Sequence, residues 1–556
     1  MMKLKRLPIG DSDFKTVIED NAYYIDKSML IKEIITGGRV ILITRPRRFG
    51  KTLNMSMLEY FFKNDEDNKH LFENLKIYEE KEIIEKYLNK YPVIYLTFKD
   101  LKEKNYTEMI STLRKKISDL YREYVYLIES ERLNKWEKED IKEILGRKGE
   151  NTLYENSILD LSKYLYKHHG KKAILLIDEY DTPIQQSYLR GYYGKFITFI
   201  GNILGNALKD NKYLEKAVLT GITRVAKESI FTGVNNLDIS TVVNELYNDK
   251  FGVTKEELEE ILKYYGIEYE EEKIIEWYNG FNFGGKEVYN PYSIINYVRS
   301  KEIRNYWINS SGNTLIKELI RKGTESIKIK IGELIEGKTI ESTINENLVY
   351  GDLNENLEES VWTLFLFTGY LTWKDKKGEG NSAIYRLKIP NKEAKEFYEM
   401  TVVNILKESS IEYNKIIRLL INGEKIEFTK EFKEIVENTL SYFDVTEKEP
   451  ERFYHGLILG MSVGLEKDYI IKSNREVGYG RADLILIPKN KTKPGIIFEF
   501  KKYSRDFDKN LKDSAERGIK QIEEKGYEKE IKSYGIEKVI KVAIAFDKKD
   551  VEIIVK

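Results

Sequence analysis

The chain of 556 residues contains no cysteine, which removes disulfides, thiolate metal sites and a cysteine nucleophile from consideration. Four histidines (His70, His168, His169 and His455) leave little room for a His-rich zinc site. Net charge is also missing: 92 Lys and Arg balance 92 Asp and Glu. Any nucleic-acid-binding face must therefore be a local basic patch rather than a property of the whole chain. No apolar run approaches the roughly 20 residues needed to span a bilayer. Met1-Met2-Lys3-Leu4-Lys5-Arg6 has no apolar region behind it, so no secretory signal is expected. These absences predict a soluble, cytoplasmic protein without a membrane partner.

What is present suffices for several cores. The chain is 41% hydrophobic and 12% aromatic, and its length predicts two to four domains. In the first part, short apolar runs alternate with helical patterns. Candidate strands are Val40–Thr44, Val93–Phe98, Ala173–Ile177 and Ala217–Gly221; candidate helices include Thr52–Phe62, Tyr106–Glu129, Leu159–His168 and Ile197–Lys209. That alternation predicts a parallel α/β sheet. From about residue 253 to 446, helical patterns dominate, as at Thr254–Tyr265, Glu272–Trp277 and Glu358–Thr368. A hairpin, Tyr370–Trp373 with Ala383–Ile389, precedes a further helix after Pro390. This order suits a winged-helix-like unit. From 447 onward a helix, Arg452–Leu465, leads into strands Tyr469–Val477, Ala482–Ile487 and Gly495–Phe500. A helix, Asp508–Lys525, and strands Val539–Phe546 and Val551–Val555 follow. The expected domains are thus 1–252, 253–446 and 447–556.

Two stretches carry chemistry. Arg45-Pro46-Arg47-Arg48-Phe49-Gly50-Lys51-Thr52 lies between an apolar strand and a helix. In a phosphate-binding loop, backbone N–H groups and a helix N-terminus surround the anion and a Lys reaches its outer oxygens. Gly50 allows close approach, Lys51 carries charge, and the Thr52 hydroxyl can ligate Mg²⁺. The usual pattern places Gly where Arg45 stands, and a basic strand–helix turn is the bland alternative. Ala173–Ile177 then ends in Asp178 and Glu179, as a strand presents one carboxylate to Mg²⁺ and the next to attacking water. A buried strand with two acids at its solvated end is the plainer reading of that segment alone. Beyond the next strand, Thr220 or Thr223 could sense the γ-phosphate and Arg224 could stabilise transition-state charge; an ordinary surface Arg is equally compatible.

The second stretch is Arg481-Ala482-Asp483 followed by Phe498-Glu499-Phe500-Lys501. Phosphodiester cleavage needs divalent ions on carboxylates and a cation near water or the scissile phosphate, and oxygen ligands suit Mg²⁺ or Mn²⁺. Glu499 and Lys501, two apart on a strand, share a face. Asp483 can complete the site, Glu451 could add a carboxylate, and Gln521 on the following helix could reach it. Carboxylates at strand ends are, however, often merely solvated.

Together these residues resemble the predicted AAA-ATPase-like proteins that carry a C-terminal PD-(D/E)xK nuclease-superfamily domain. The resemblance includes Leu7-Pro8-Ile9-Gly10, Tyr24-Ile25-Asp26-Lys27, the loop Arg45–Thr52, Ile177-Asp178-Glu179-Tyr180-Asp181 and Thr220–Arg224. It continues through Trp277–Phe281, Tyr289–Ser293, Asn474–Asp483 and Glu499-Phe500-Lys501. It implies that Arg45 is no anomaly, since the family shares a non-Gly loop. It also implies that Asp483, Glu499 and Lys501 form the nuclease core, with Glu451 and Gln521 as weaker carry-overs. Ala482 stands where the superfamily name has Pro. The implied architecture is an ASCE-type P-loop sheet, a helical or winged-helix-like middle and a restriction-endonuclease-like α/β core. Two readings follow: an ATP-controlled, Mg²⁺-dependent nuclease acting on DNA, in defence against foreign DNA, or a regulatory NTPase whose C-terminal fold binds a partner without cutting. The sequence leaves open the substrate, the trigger and the oligomeric state, a homo-oligomer included.

Overall fold

The computed structural model describes residues 4–224, 237–268, 271–310, 313–335, 337–348, 350–355, 357–408, 413–440, 458, 462, 465, 468–477, 480–505, 507–547 and 550–556. The chain segregates into two compact units, Met1–Ile316 with Gly337–Glu396, and Lys317–Glu336 with Phe397–Lys556. The residues between 253 and 446 are divided between these units.

In the first unit, β1 (Val40–Thr44), β2 (Val93–Thr97), β3 (Ala173–Asp178), β4 (Leu214–Gly221) and β5 (Leu237–Ser240) form a parallel sheet in the order β2-β3-β4-β1-β5. Every residue of β1 and β3 is buried, as expected of strands covered on both faces. Register pairs Thr44 with Gly221 and Ile177 with Leu219. The carboxyl ends of β1, β3 and β4 therefore open at one edge of the sheet, where α/β folds place their ligands. The four expected strands are present. β5 lacked an apolar run to announce it: four residues, two of them Asp238 and Ser240, form a short edge strand.

Several helix bounds differ from expectation: the helix expected from Ile197 starts at Tyr193, and the one expected from Asp508 starts at Leu511. The stretch expected as one helix to Glu129 is α-helical only to Glu123 and continues as a 3₁₀ segment, Val125–Glu129. The tighter winding lets Tyr124 and Leu127 both turn inward, and the Tyr124 hydroxyl donates to the Val93 carbonyl. The helix expected from Leu159 begins earlier, at Asn151. Further along, β6 (Phe281–Phe283) and β7 (Lys286–Val288) form a small hairpin. The expected hairpin is present as β9 (Thr372–Lys377) and β10 (Ile384–Lys388), joined by the unforeseen strand β8 (Ile340–Thr343) in the order β8-β10-β9.

The second unit holds the sheet β11 (Tyr469–Val477), β12 (Gly480–Pro488), β13 (Gly495–Lys502), β14 (Val539–Asp547) and β15 (Asp550–Val555), in sequence order. β13 and β14 run parallel; the other pairs are antiparallel. Alternation sorts the side chains. Leu484, Leu486, Phe498 and Phe500 join Ile416, Phe428 and Phe432 on one face. Ile485, Ile487 and Ile497 join Ile519 and Ile522 of the helix Leu511–Lys525 on the other. The helix expected at Arg452–Leu465 falls almost wholly outside the described residues. Among the described residues, no helix is long and apolar enough to cross a membrane.

Candidate functional site

The phosphate-loop candidate is wound by two left-handed residues, Arg48 (φ +67°) and Gly50 (φ +81°). Such alternation turns successive N–H groups toward one hollow. The helix Lys51–Phe62 begins at Gly50 with no side-chain cap, leaving its first N–H groups for an anion. Lys51 is buried, and its Nζ donates to the Arg45 and Pro46 carbonyls at 2.9 and 2.8 Å. Burial lowers its pKa, while Glu179, Asp178 and Asp181 oppose that shift.

Asp178 is fully buried between two hydroxyls: Thr52 Oγ1 donates to Oδ2 at 2.8 Å and Thr220 Oγ1 to Oδ1 at 2.5 Å. Burial pushes its pKa up, and these hydroxyls pull it down. Glu179 adopts φ +53° and is half-buried; Thr182 Oγ1 donates to its Oε2 at 3.1 Å. Asp181 clamps the end of β4, accepting from Ile222 N (2.9 Å), Thr223 N (2.9 Å) and Thr223 Oγ1 (3.0 Å) through Oδ2. Tyr180 completes the clamp by donating to the Thr223 carbonyl at 2.7 Å. Arg224 follows, half-buried, its pKa lowered by burial against the pull of Glu346. Loop, paired acids and following strand end thus meet at one edge of the sheet.

The remaining loop residues hold the loop in place. Arg45 is fully buried; its guanidinium donates to Thr44 O, Ser240 O and Oγ, Leu246 O and Tyr247 O, and lies over the Phe251 and Phe283 rings. Burial lowers its pKa to about 9. The side chain is therefore directed into the protein and binds β5 to the loop. Arg47 donates to Gln185 Oε1 at 3.0 Å, Arg48 lies 4.9 Å over the Tyr292 ring, and Phe49 stands edge-on to Phe281 at 5.0 Å. The Pro46 ring packs where a Cβ on Gly369 would come within 3.0 Å. Beside Gly50 and Leu53 lies a largely apolar cleft lined by Pro8, Tyr24, Ile25, Val253 and Ile295. The sequence reading had no signal for it, because its walls come from distant segments.

In the second unit, Glu499 is 1% exposed, and Lys501 Nζ donates to its Oε1 at 2.7 Å. Gln521, on the helix Leu511–Lys525, donates to the same oxygen and lies 3.3 Å from Tyr527 Oη. Asp483 Oδ2 accepts the Phe500 N–H at 2.8 Å. Sequence reasoning missed Gly518: a Cβ there would lie 2.9 Å from Ala543 Cβ and 3.3 Å from Lys501 Cγ. A glycine facing the sheet on an amphipathic helix was the available signal. Glu451 lies outside the described residues. Among the described residues, no group of three or more His, Asp or Glu is placed to hold a metal ion. The donor set of Asp483 and Glu499, two carboxylates beside a Lys, fits a hard divalent cation bound in part by water.

Residues 8–231 match a family model described as predicted AAA-ATPase, and residues 449–556 match that of the PD-(D/E)XK nuclease superfamily. Domains of these two kinds generally use ATP and divalent metal. An "Uncharacterized protein in vnfD 5′ region" of Azotobacter chroococcum mcd 1 is 24% identical over 548 residues, covering 96% of this chain and 95% of that protein. A solved structure of a signal transduction ATPase with numerous domains, bearing a tetratricopeptide repeat sensor, from Pyrococcus horikoshii, is 14% identical with a TM-score of 0.25. That match covers 79% of this chain and 53% of the other, so the chain spans about half the length of that protein.

Proposed function

We propose that this chain, an AAA-ATPase-like domain ahead of a PD-(D/E)XK nuclease-superfamily domain, uses ATP to control Mg²⁺-dependent cleavage of DNA, in defence against foreign DNA. The observation that carries this reading is the convergence of Asp483, Glu499 and Lys501 on one sheet face, in a chain that also brings Lys51, Thr52, Asp178 and Glu179 together.

At the first site, the apolar cleft beside Leu53 takes the adenine and the loop N–H groups take the phosphates. Lys51 exchanges its two carbonyl acceptors for outer phosphate oxygens. Glu179 holds the attacking water and accepts its proton, a role open to a half-buried carboxylate at the mouth of β3. Thr220 or Thr223 reads the γ-phosphate, and Arg224 balances charge developing on it. At the second site, Lys501 sits beside Glu499 to orient water and offset charge on the scissile phosphate, while Gln521 fixes the Glu499 carboxylate. Mg²⁺, held by Thr52 and Asp178 at one site and (with Mn²⁺ as a substitute) by Asp483 and Glu499 at the other, supplies charge neutralisation and Lewis-acid polarisation when bound.

The second reading is a regulatory NTPase whose C-terminal fold binds a partner without cutting. It is favoured by the described second site offering two carboxylates rather than three. One experiment separates the readings. Labelled single-stranded DNA, duplex DNA and RNA are incubated with the full chain and Mg²⁺ or Mn²⁺, with and without ATP. Nucleotide-dependent cutting of DNA is expected. No cutting under any condition, with intact ATP turnover, leaves the regulatory reading.

A further inference from the structure

We propose that Trp307 is a positioning residue for the phosphate loop. It holds the Arg47–Arg48 peptide so that the Arg48 N–H is presented to the bound triphosphate. The proposal rests on reading Arg45–Thr52 as the phosphate cradle.

Trp307 opens the short helix Trp307–Ser310 and is 1% exposed. Its indole Nε1 donates to the Arg47 carbonyl at 3.1 Å, across 260 residues of sequence. The residue is held at three points, two on the ring and one on the backbone. It stands edge-on to Phe281 at 5.6 Å, and Phe281 in turn meets Phe49 of the loop at 5.0 Å. Tyr370 lies against it at 5.4 Å. Its own backbone N–H donates to Glu393 Oε1 at 2.6 Å, and Ser293 Oγ holds the other oxygen of that buried carboxylate at 2.9 Å. The donor on the indole is therefore fixed in place before any nucleotide arrives.

A trans peptide is planar, so its C=O and the next N–H point in opposite directions. The chain has no cis peptide among its described residues. With the Arg47 carbonyl turned to Trp307, the Arg48 N–H points away from it. Arg48 has φ +67° and Gly50 φ +81°, the alternation that gathers N–H groups around an anion. Released from Trp307, the 47–48 peptide could flip and offer the anion a carbonyl oxygen instead. The plainer explanation is that a buried indole N–H simply needs an acceptor, which many carbonyls could supply. The two explanations differ in what happens to triphosphate binding when the N–H alone is removed.

The test replaces Trp307 with Phe and, separately, with β-(3-benzothienyl)alanine, which keeps the indole shape and has no N–H. Calorimetry measures the affinity of the full chain for ATP and for inorganic tripolyphosphate, and steady-state kinetics give kcat and KM for ATP. The expected result is affinity weakened about tenfold for both ligands, the size of one hydrogen bond's net contribution. KM should rise while kcat stays within about twofold, since the lost interaction serves ground state and transition state alike. Tripolyphosphate isolates the loop from the apolar cleft. If the benzothienyl variant binds both ligands as wild type does, while Lys51→Ala loses both, the Trp307 role is overturned and the phosphate cradle stands. If Lys51→Ala also binds both normally, the cradle reading fails and the Trp307 role fails with it.

Discussion

Asp483 Oδ2 accepts the Phe500 N–H at 2.8 Å, tying the carboxylate of β12 to the peptide that separates Glu499 from Lys501. Register accounts for this. Leu484 faces Phe498 across an antiparallel pair, so position 483 stands opposite 499, and residues opposite one another share a face.

Asp483→Ala and Glu499→Ala should each reduce metal-dependent cleavage to background and weaken Mg²⁺ or Mn²⁺ binding, with ATP turnover retained. Lys501→Ala should abolish cleavage yet keep the metal, because a protonated amine has no lone pair to donate. Calorimetric titration of the ion and nicking of a labelled duplex are the measurements. Wild-type cleavage in either carboxylate variant would remove that residue from the site.

Glu179→Gln should leave ATP affinity within about twofold and slow hydrolysis by about 10²-fold or more, the range for a lost general base. The amide keeps the Thr182 contact but cannot accept the proton. Single-turnover hydrolysis with labelled ATP decides this, and an undiminished rate would shift the base to another carboxylate, Asp181 first.

Arg45→Gly writes the usual phosphate-loop pattern into the chain, yet it should destabilise the protein. The Ser240, Leu246 and Tyr247 carbonyls lose the guanidinium, leaving Leu246 O to Ser240 Oγ and Tyr247 O to Lys250 N, and a cavity opens between Phe251 and Phe283. A loss of about 3 kcal/mol is expected, read as a lower Tm by differential scanning calorimetry. An unchanged Tm would show that the arginine is dispensable to the fold.

Glu393 gives stability a pH dependence. Burial raises its carboxyl from the ordinary 4.5 to about 7, against hydrogen bonds from Ser293 and the Trp307 N–H that pull it down. The folded chain therefore keeps this proton over a range where the unfolded chain has lost it. The associated stability is complete below pH 4.5, falls as pH rises to 7, and is flat above; it amounts to at most about 3 kcal/mol. Glu393→Gln should flatten that part of the Tm–pH curve relative to wild type. Parallel curves for the two proteins between pH 4.5 and 7 would count against it. Glu59, raised to about 7 by its own burial, contributes equally to both proteins and cancels in the comparison.

Local signals in the chain were strong where the chemistry is local. Val40–Thr44 and Ala173–Ile177 declared themselves as buried strands because four or five apolar residues in a row have no other comfortable place. Gly50-Lys51-Thr52 and the i, i+2 spacing of Glu499 and Lys501 likewise needed only the geometry of a helix start and a strand. What the sequence could not contain is which distant segments meet. Arg45 reads as a cation in a phosphate loop; only the short strand β5 and the carbonyls of 246 and 247 turn it inward. Gly518 reads as a weak point in a helix until Ala543 and Lys501 are found against it. Trp307 and Glu393 read as one aromatic and one surface acid, and only folding brings the first to the Arg47 carbonyl and the second to the Trp307 N–H. Periodicity records which residues avoid water, a property of each short segment. Register, clamps and clefts depend on pairings tens to hundreds of residues apart, and no single segment encodes them.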